Sequence, residues 1–328
     1  MTVARQSFYQ QIAQNKRRSW LLMFALGAIL VLLGAVIGHA ITGSTAGAGA
    51  AVVGALILSI VLSAGAWFRG DSLILAASQA KQVGPAEAPQ LVNVVQELSL
   101  AAGVPMPRVF IIDDSAPNAF ATGRDPAHAS VAVTTGLLDK LDREELQGVL
   151  GHEMSHVRNY DIRFALLVGV LVGSIALLAD MFLRFSFWSN VGGRRSRNSD
   201  SGGGLQAILM VVALVLAIVA PFFARLVQMS VSRQREYLAD ASSVELTRNP
   251  VGLERALAAI SADTEPLEVA NRATQHLYIV NPIKKLDDRS GSLFSTHPPI
   301  RDRIDRLRAL SGEPPLDPAS AHGLAGLD

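Results

Sequence analysis

The chain has 328 residues, half of them apolar and only 17% charged, with a formal net charge of +1 and no cysteine. That composition excludes disulfide scaffolds and thiolate chemistry, and the near-neutral balance gives no electrostatic basis for nucleic-acid binding. The apolar excess points to membrane content, and any zinc site must be built from histidine and carboxylates.

Two apolar runs open the chain. The first, Trp20 to Ile41, follows Lys16, Arg17 and Arg18. It has the ~20 residues that a hydrocarbon core of about 30 Å requires. A basic flank also suits a cleaved signal peptide. But the run is long, lacks a clear small-residue cleavage site, and is followed at once by a second uncharged run, Ala46 to Phe68. A retained hairpin over residues 1–68 is the better reading. Arg5, Lys16, Arg17 and Arg18 precede the first run, and the linker "TGST" has no charge. The positive-inside rule then places the N-terminus in the cytoplasm and the linker outside.

A mixed-charge segment, residues 69–163, returns to the cytoplasmic side. Within it "NAFATG" (118–123) reads as a loop. "ASVAVTTGLL" (129–138) reads as an apolar strand interrupted by Gly136. Next comes "LDREELQGVLGHEMSHVRNYD" (141–161). Asp142 can cap a helix here, and Glu145 lies three residues later, at capping-box spacing. Leu146, Val149, Leu150 and Met154 form an apolar stripe at helical period. His152 and His156 are four apart, about 40° around the axis, so both imidazoles can reach one ion. Glu153 lies beside the first histidine, where a general base acts on a metal-polarised water. This is the physical content of H-E-x-x-H. The same residues also read as two surface or capping histidines on an amphipathic helix. Asp142, Arg143, Glu144 and Glu145 before the motif, with Arg158 and Asp161 after it, carry too much charge for a lipid-buried helix. That argues against an intramembrane protease and places the motif at or outside the membrane surface.

A third apolar run spans Phe164 to Leu183 and holds Asp180; a fourth spans Leu205 to Phe223. The Gly/Ser-rich connector between them carries Arg184, Arg194, Arg195 and Arg197. If both runs cross, that connector lies outside and breaks the positive-inside rule, so full crossing of 164–223 stays open. Residues 224–328 are polar again. A hairpin returns the chain to the side it left, so 69–163 and 224–328 can fold as one domain split by 164–223.

A catalytic zinc takes three protein ligands and keeps one position open. "VSRQREYLADASSVEL" (231–246) offers Glu236 and Asp240, four apart on a helix whose buried side can hold Leu238, Ala241 and Val244. Glu236 can be the third ligand. Asp240 can accept a hydrogen bond from the far nitrogen of a ligand histidine. A plain surface helix with two acids is the competing reading, although like charges at that spacing repel unless a cation lies between them. A structural zinc would be closed by four protein ligands. Three ligands plus a base favour catalysis over a zinc-binding membrane scaffold.

Together, "PNAFATGRDPAHASVAVTTGLL" (117–138), "ELQGVLGHEMSHVRNYD" (145–161), "REYLADASS" (235–243) and "STHPPIRDRIDRL" (295–307), behind an N-terminal hairpin, resemble the HtpX family of membrane zinc endopeptidases, relatives of the type I CAAX prenyl protease. The resemblance covers most of the chain. It implies a mainly α fold with a small β-sheet, a gluzincin-type domain facing the cytoplasm, combined with four membrane-spanning or membrane-associated helices. It implies one zinc per chain on His152, His156 and Glu236, Glu153 as base and acid, and Asp240 beside a ligand histidine. It further implies that Asn118 and Ala119 hold substrate backbone by strand addition, and that His297, fixed by Pro298 and Pro299, donates to the oxyanion. From the residues alone, Asn118 is equally a turn former and His297 equally a loop histidine capping the next helix. Arg303 matches the family pattern without an assigned role. The implied setting is a bacterial cytoplasmic membrane, with misfolded or damaged membrane proteins or unfolded chains as substrates; prenylated peptides are the weaker alternative. His39, His128, His276 and His322 match no motif and read as structural or surface residues. The tail "SGEPPLDPASAHGLAGLD" (311–328) reads as disordered.

Overall fold

The computed structural model describes residues 8–192, 203–263, 265–267, 278–279 and 298–316. They form two compact units. Of the described residues, one comprises those in 16–67 and 166–231; the other gathers those in 8–15, 68–165 and from 232 onward.

Among its described residues the first unit is helical apart from the bend at Gly43 and Ser44. It contains most of α1 (Phe8–Thr42) and α2 (Thr45–Ala77), and the inner parts of α6 (Asp161–Gly192) and α7 (Gly203–Thr247). Among the described residues, three stretches are long and apolar enough to cross a membrane: Phe24–Thr42, Thr45–Gly65 and Asp161–Arg184. The fourth expected run is helical too; among the described residues its apolar stretch is Met210–Ala224, and Pro221 removes one hydrogen bond from the helix ladder there. The surface pattern is inverted relative to a water-soluble bundle. Phe24, Ile60 and Met181 are exposed, whereas Ser59 and Ser174 are buried. Ser174 donates back to the Val170 carbonyl at 2.8 Å, which satisfies its hydroxyl without water.

The second unit is built on a four-stranded mixed sheet in the order β1-β2-β4-β3, from β1 (Lys81–Gln82), β2 (Arg108–Ile112), β3 (Ala119–Gly123) and β4 (Ala129–Thr134). β2 and β4 are parallel, and β3 pairs antiparallel to β4 as an edge strand. "NAFATG" is therefore a strand where the sequence suggests a loop. Its residues are buried on both faces, so the polar–apolar alternation that marks a strand is missing. The run after β4 differs as well. Thr134 accepts from the Leu137 amide and caps a short helix, α4 (Thr135–Lys140), so "TTGLL" leaves the sheet. Gly136 fits because a Cβ there would run into the Ser115 backbone.

α5 (Arg143–Arg158) forms as its sequence dictates. The Asp142 carboxylate accepts from the Glu145 amide at 2.9 Å, and the Asp142 amide donates to the Glu145 carboxylate at 3.0 Å. This closes the capping box. Leu146, Val149, Leu150 and Met154 are all at most 1% exposed. They meet Leu98 of α3 (Pro89–Ala102), Val131 and Val133 of β4, and Leu253 and Leu257 of α8 (Pro250–Ser261) in one core. Each such side chain contributes about 1.5–3 kcal/mol. α9 (Ile300–Ser311) seals the core with Ile304 and Leu307. The chain beyond it turns back through Gly312, and the Leu316 amide donates to Asp305 at 2.8 Å. The first residues of the expected disordered tail are thus ordered by a left-handed cap and an apolar contact; 317–328 lie outside the described residues.

α5 and α8 approach so closely that a Cβ on Gly148 would lie 2.5 Å from the Leu253 amide nitrogen. Backbone cannot yield as a side chain can. Gly148→Ala should therefore cost about 1–3 kcal/mol through overpacking despite its better helix propensity. Thermal unfolding in detergent checks this; an unchanged or raised Tm would contradict the packing.

Candidate active site

α5 presents His152, Glu153 and His156 at the sheet's edge strand, and α7 supplies Glu236, Asp240 and Ser243 on one face. That face is buried, with Glu236 and Asp240 at 5% and 3% exposure. The expected inner residues Ala241 and Val244 are only partly covered. Ser243 donates to the Gly148 carbonyl at 2.7 Å and pins α7 against α5.

Three donor atoms converge. His152 Nε2 and His156 Nε2 are 3.2 Å apart; Glu236 oxygens lie 3.6 Å from the first and 3.4 Å from the second. Tetrahedral zinc with bonds of about 2.0–2.1 Å has ligands about 3.3–3.4 Å apart. The spacings are close to that, the two imidazoles facing different Glu236 oxygens, and His152, His156 and Glu236 can hold one ion.

The far side of each imidazole fixes its tautomer. His152 Nδ1 lies 2.9 Å from Asp240, and His156 Nδ1 lies 3.1 Å from Asp161. Ionised carboxylates only accept, so each Nδ1 carries the proton and each Nε2 turns a lone pair toward the other. Arg303, fully buried, donates to both Asp240 oxygens at 2.7 and 2.9 Å and to the Ile279 carbonyl at 3.0 Å. Arg235 donates to Asp161. Four buried carboxylates (Glu153, Asp161, Glu236, Asp240) thus face two buried guanidiniums. With all four ionised, two negative charges remain, which a divalent ion would cancel.

The sequence singled out Asp240 as an orienting acid and left Arg303 without a role; Arg303 is its clamp. Asp161 and Arg235 escaped notice. Asp161 was legible only as a charge flanking an apolar run, and Arg235 as one of the two basic residues in 231–246.

Glu153 is 2% exposed, with the Ala121 amide of β3 donating to its carboxylate. Burial raises its pKa, against the pull of His152 and His156. For Asp240 burial acts upward too, but Arg303 and His152 outweigh it and lower the pKa. Asn118 is buried; its side-chain oxygen accepts from the Ala119 amide at 3.0 Å, and its own amide donates to Thr134 at 2.9 Å. The outward carbonyl of Ala119 accepts from the Ile279 amide at 3.0 Å. His297, like His276 and His322, lies outside the described residues. Of the remaining histidines, His128 lies at the surface against Asp125, 2.7 Å away.

An H-E-x-x-H helix, a glutamate from a second helix and orienting acids behind both imidazoles define a gluzincin-like metallopeptidase. The sequence pattern of peptidase family M48 matches residues 85–311, and the chain belongs to that family. It is 45% identical to Protease HtpX homolog of Ligilactobacillus salivarius, over 91% of this chain and 98% of that one. It is 44% identical to Protease HtpX homolog of Streptococcus gordonii, over 92% and 99%. The crystal structure of S. mikatae Ste24p overlaps 91% of this chain and 66% of its own, at TM-score 0.48 and 19% identity. The protein is a membrane metallopeptidase.

Burial disfavours the imidazolium of His156, yet hydrogen bonds to Asp161 and Glu236 outweigh it and hold the pKa well above the ordinary value. His152 is raised in the same way by Asp240 and Glu236. Without metal, the pair therefore retains a proton that free histidine, with pKa about 6.5, would release. Stability from that proton is present below about pH 6.5 and lost as pH rises through the raised value. A metal ion must displace the proton, so affinity should climb as pH rises from about 6.5 through the raised imidazole values. Chelator competition across that range, with calorimetry in buffers of differing ionisation enthalpy, should show proton release on binding. A flat profile would contradict the raised pKa values of His152 and His156.

Proposed function

We propose that the protein is a zinc endopeptidase of a bacterial cytoplasmic membrane. Its catalytic unit faces the cytoplasm, and it hydrolyses misfolded or damaged membrane proteins and unfolded chains. The observation that carries this reading is the donor triangle of His152, His156 and Glu236, sized for tetrahedral zinc, with Glu153 beside it. When bound, zinc would supply Lewis-acid polarisation of the scissile carbonyl and of a water.

The chain's own groups do the rest. Glu153, buried and steadied by the Ala121 amide, takes a proton from the attacking water and returns it to the leaving amine. Its raised pKa suits that exchange, because the group must both accept and release a proton near neutrality. Asp240 and Asp161 hold the two imidazoles in the tautomer that offers Nε2. Arg303 keeps Asp240 ionised by a bidentate pair. His297 is the proposed oxyanion donor, on the family pattern. β3 is the sheet's edge beside α5, and its Ala119 carbonyl already accepts a backbone amide from a distant segment. A substrate strand would bring groups of the same kind, with Asn118 shaping the start of that edge. Orientation rests on Arg5, Lys16, Arg17 and Arg18 before the first span.

Glu153→Gln should retain zinc and lose peptidase activity by about 10²- to 10⁴-fold. Glu236→Ala should lose zinc itself. Zinc content and cleavage of an unfolded substrate by detergent-purified protein measure both. Wild-type turnover by Glu153→Gln would refute the proposed base.

A further inference from the structure

The His156 side of the site repeats the arrangement on the His152 side. Behind His152 stands Asp240, and behind Asp240 stands Arg303. Behind His156 stands Asp161, and behind Asp161 stands Arg235. The Asp161 carboxylate divides its oxygens: Oδ2 lies 3.1 Å from His156 Nδ1, and Oδ1 accepts from Arg235 Nη1. Both residues are 7% exposed.

The local backbone is built to make this contact. α5 ends at Arg158, and α6 begins at Asp161. Between them Tyr160 takes a left-handed φ of 60°. That conformation is costly for a non-glycine residue, and it turns the chain so that Asp161 returns under His156, five positions back. Arg235 is fixed from another direction. Its guanidinium carbon lies 3.8 Å from the centre of the Phe164 ring, one turn along α6. Its neighbour in sequence is Glu236, so the pair also anchors α7 immediately before its ligand.

A simple tie between α6 and α7 would not need these groups. Buried ion pairs are weak stabilisers, and apolar residues of similar volume commonly serve as well or better. An ion pair that shares its carboxylate with an imidazole does something apolar residues cannot: it holds the Nδ1 proton in place and aims the ring. We infer that Asp161 and Arg235 act together as a positioning pair for His156, and that this pair sets the metal affinity of the site. The inference rests on the reading of His152, His156 and Glu236 as metal ligands.

The test uses full-length protein in detergent, with zinc affinity from chelator competition and Tm at saturating zinc. Wild type and Glu236→Ala frame the series of Asp161→Ala, Asp161→Asn, Arg235→Ala and the double alanine variant. Asp161→Ala should weaken zinc about 10- to 100-fold. Arg235→Ala should weaken it several-fold, and the double variant should resemble Asp161→Ala alone, because Arg235 acts through Asp161. If Asp161→Ala does not fold, Asp161→Asn carries the test, with a loss of about 10-fold expected. A lower Tm with unchanged zinc affinity would overturn the inference and leave a structural tie. Additive losses would overturn the pairing. If Glu236→Ala loses zinc while neither Asp161 variant does, this inference alone fails. If wild type binds no zinc, the ligand reading fails and takes this inference with it.

Discussion

A buried imidazole, His152, and a partly exposed one, His156, bring their Nε2 atoms within 3.2 Å of each other, with the Glu236 carboxylate beside both. Lone pairs and negative charge cannot converge in a water-poor interior unless a cation sits among them. A proton can serve: against the effect of burial, hydrogen bonds to Asp240, Asp161 and Glu236 raise the pKa of both imidazoles. A divalent ion serves better, because it meets all three donors and cancels the charge that Arg303 and Arg235 leave over. Most of the surrounding architecture can be read as the means of holding that convergence in place.

The convergence demands rigidity from elements far apart in sequence. α5 is rigid because its capping box and apolar stripe lock it between the sheet and α8. α7 is brought to it by Ser243 on the Gly148 carbonyl, and the same glycine lets α8 close on the other side. α9 contributes a guanidinium to the interior. Arg303 would be ruinous there alone, but Asp240 takes two of its hydrogen bonds and the Ile279 carbonyl a third. Through that third bond the orienting network of His152 reaches the segment lying on Ala119, at the sheet edge beside Glu153.

What was legible in the sequence follows from range. α5 was readable almost to the residue, because its cap, its stripe and its metal spacing are all local. Glu236 and Asp240 were readable as a pair, since their spacing repeats that of the histidines and like charges so close ask for a cation. β3 was not, because a strand buried on both faces loses its alternation, and "NAFATG" looks like a turn. Arg303 sits in "RDRIDRLRAL", where four of ten residues are arginine and a solvated helix face is the natural expectation. Only its place across from Asp240, 63 positions away, shows otherwise. Asp161 and Arg235 were hidden for the same reason: their meaning lies in a contact 74 positions apart.

The central claim is that two Nε2 atoms and one Glu236 oxygen bind a single ion and leave one position open. Zinc K-edge X-ray absorption on the loaded, detergent-purified protein tests it most directly. The account predicts four light ligands at about 2.0–2.2 Å, two of them imidazoles, with one imidazole fewer in His156→Ala. Four protein ligands, or an imidazole count unmoved by that substitution, would contradict it.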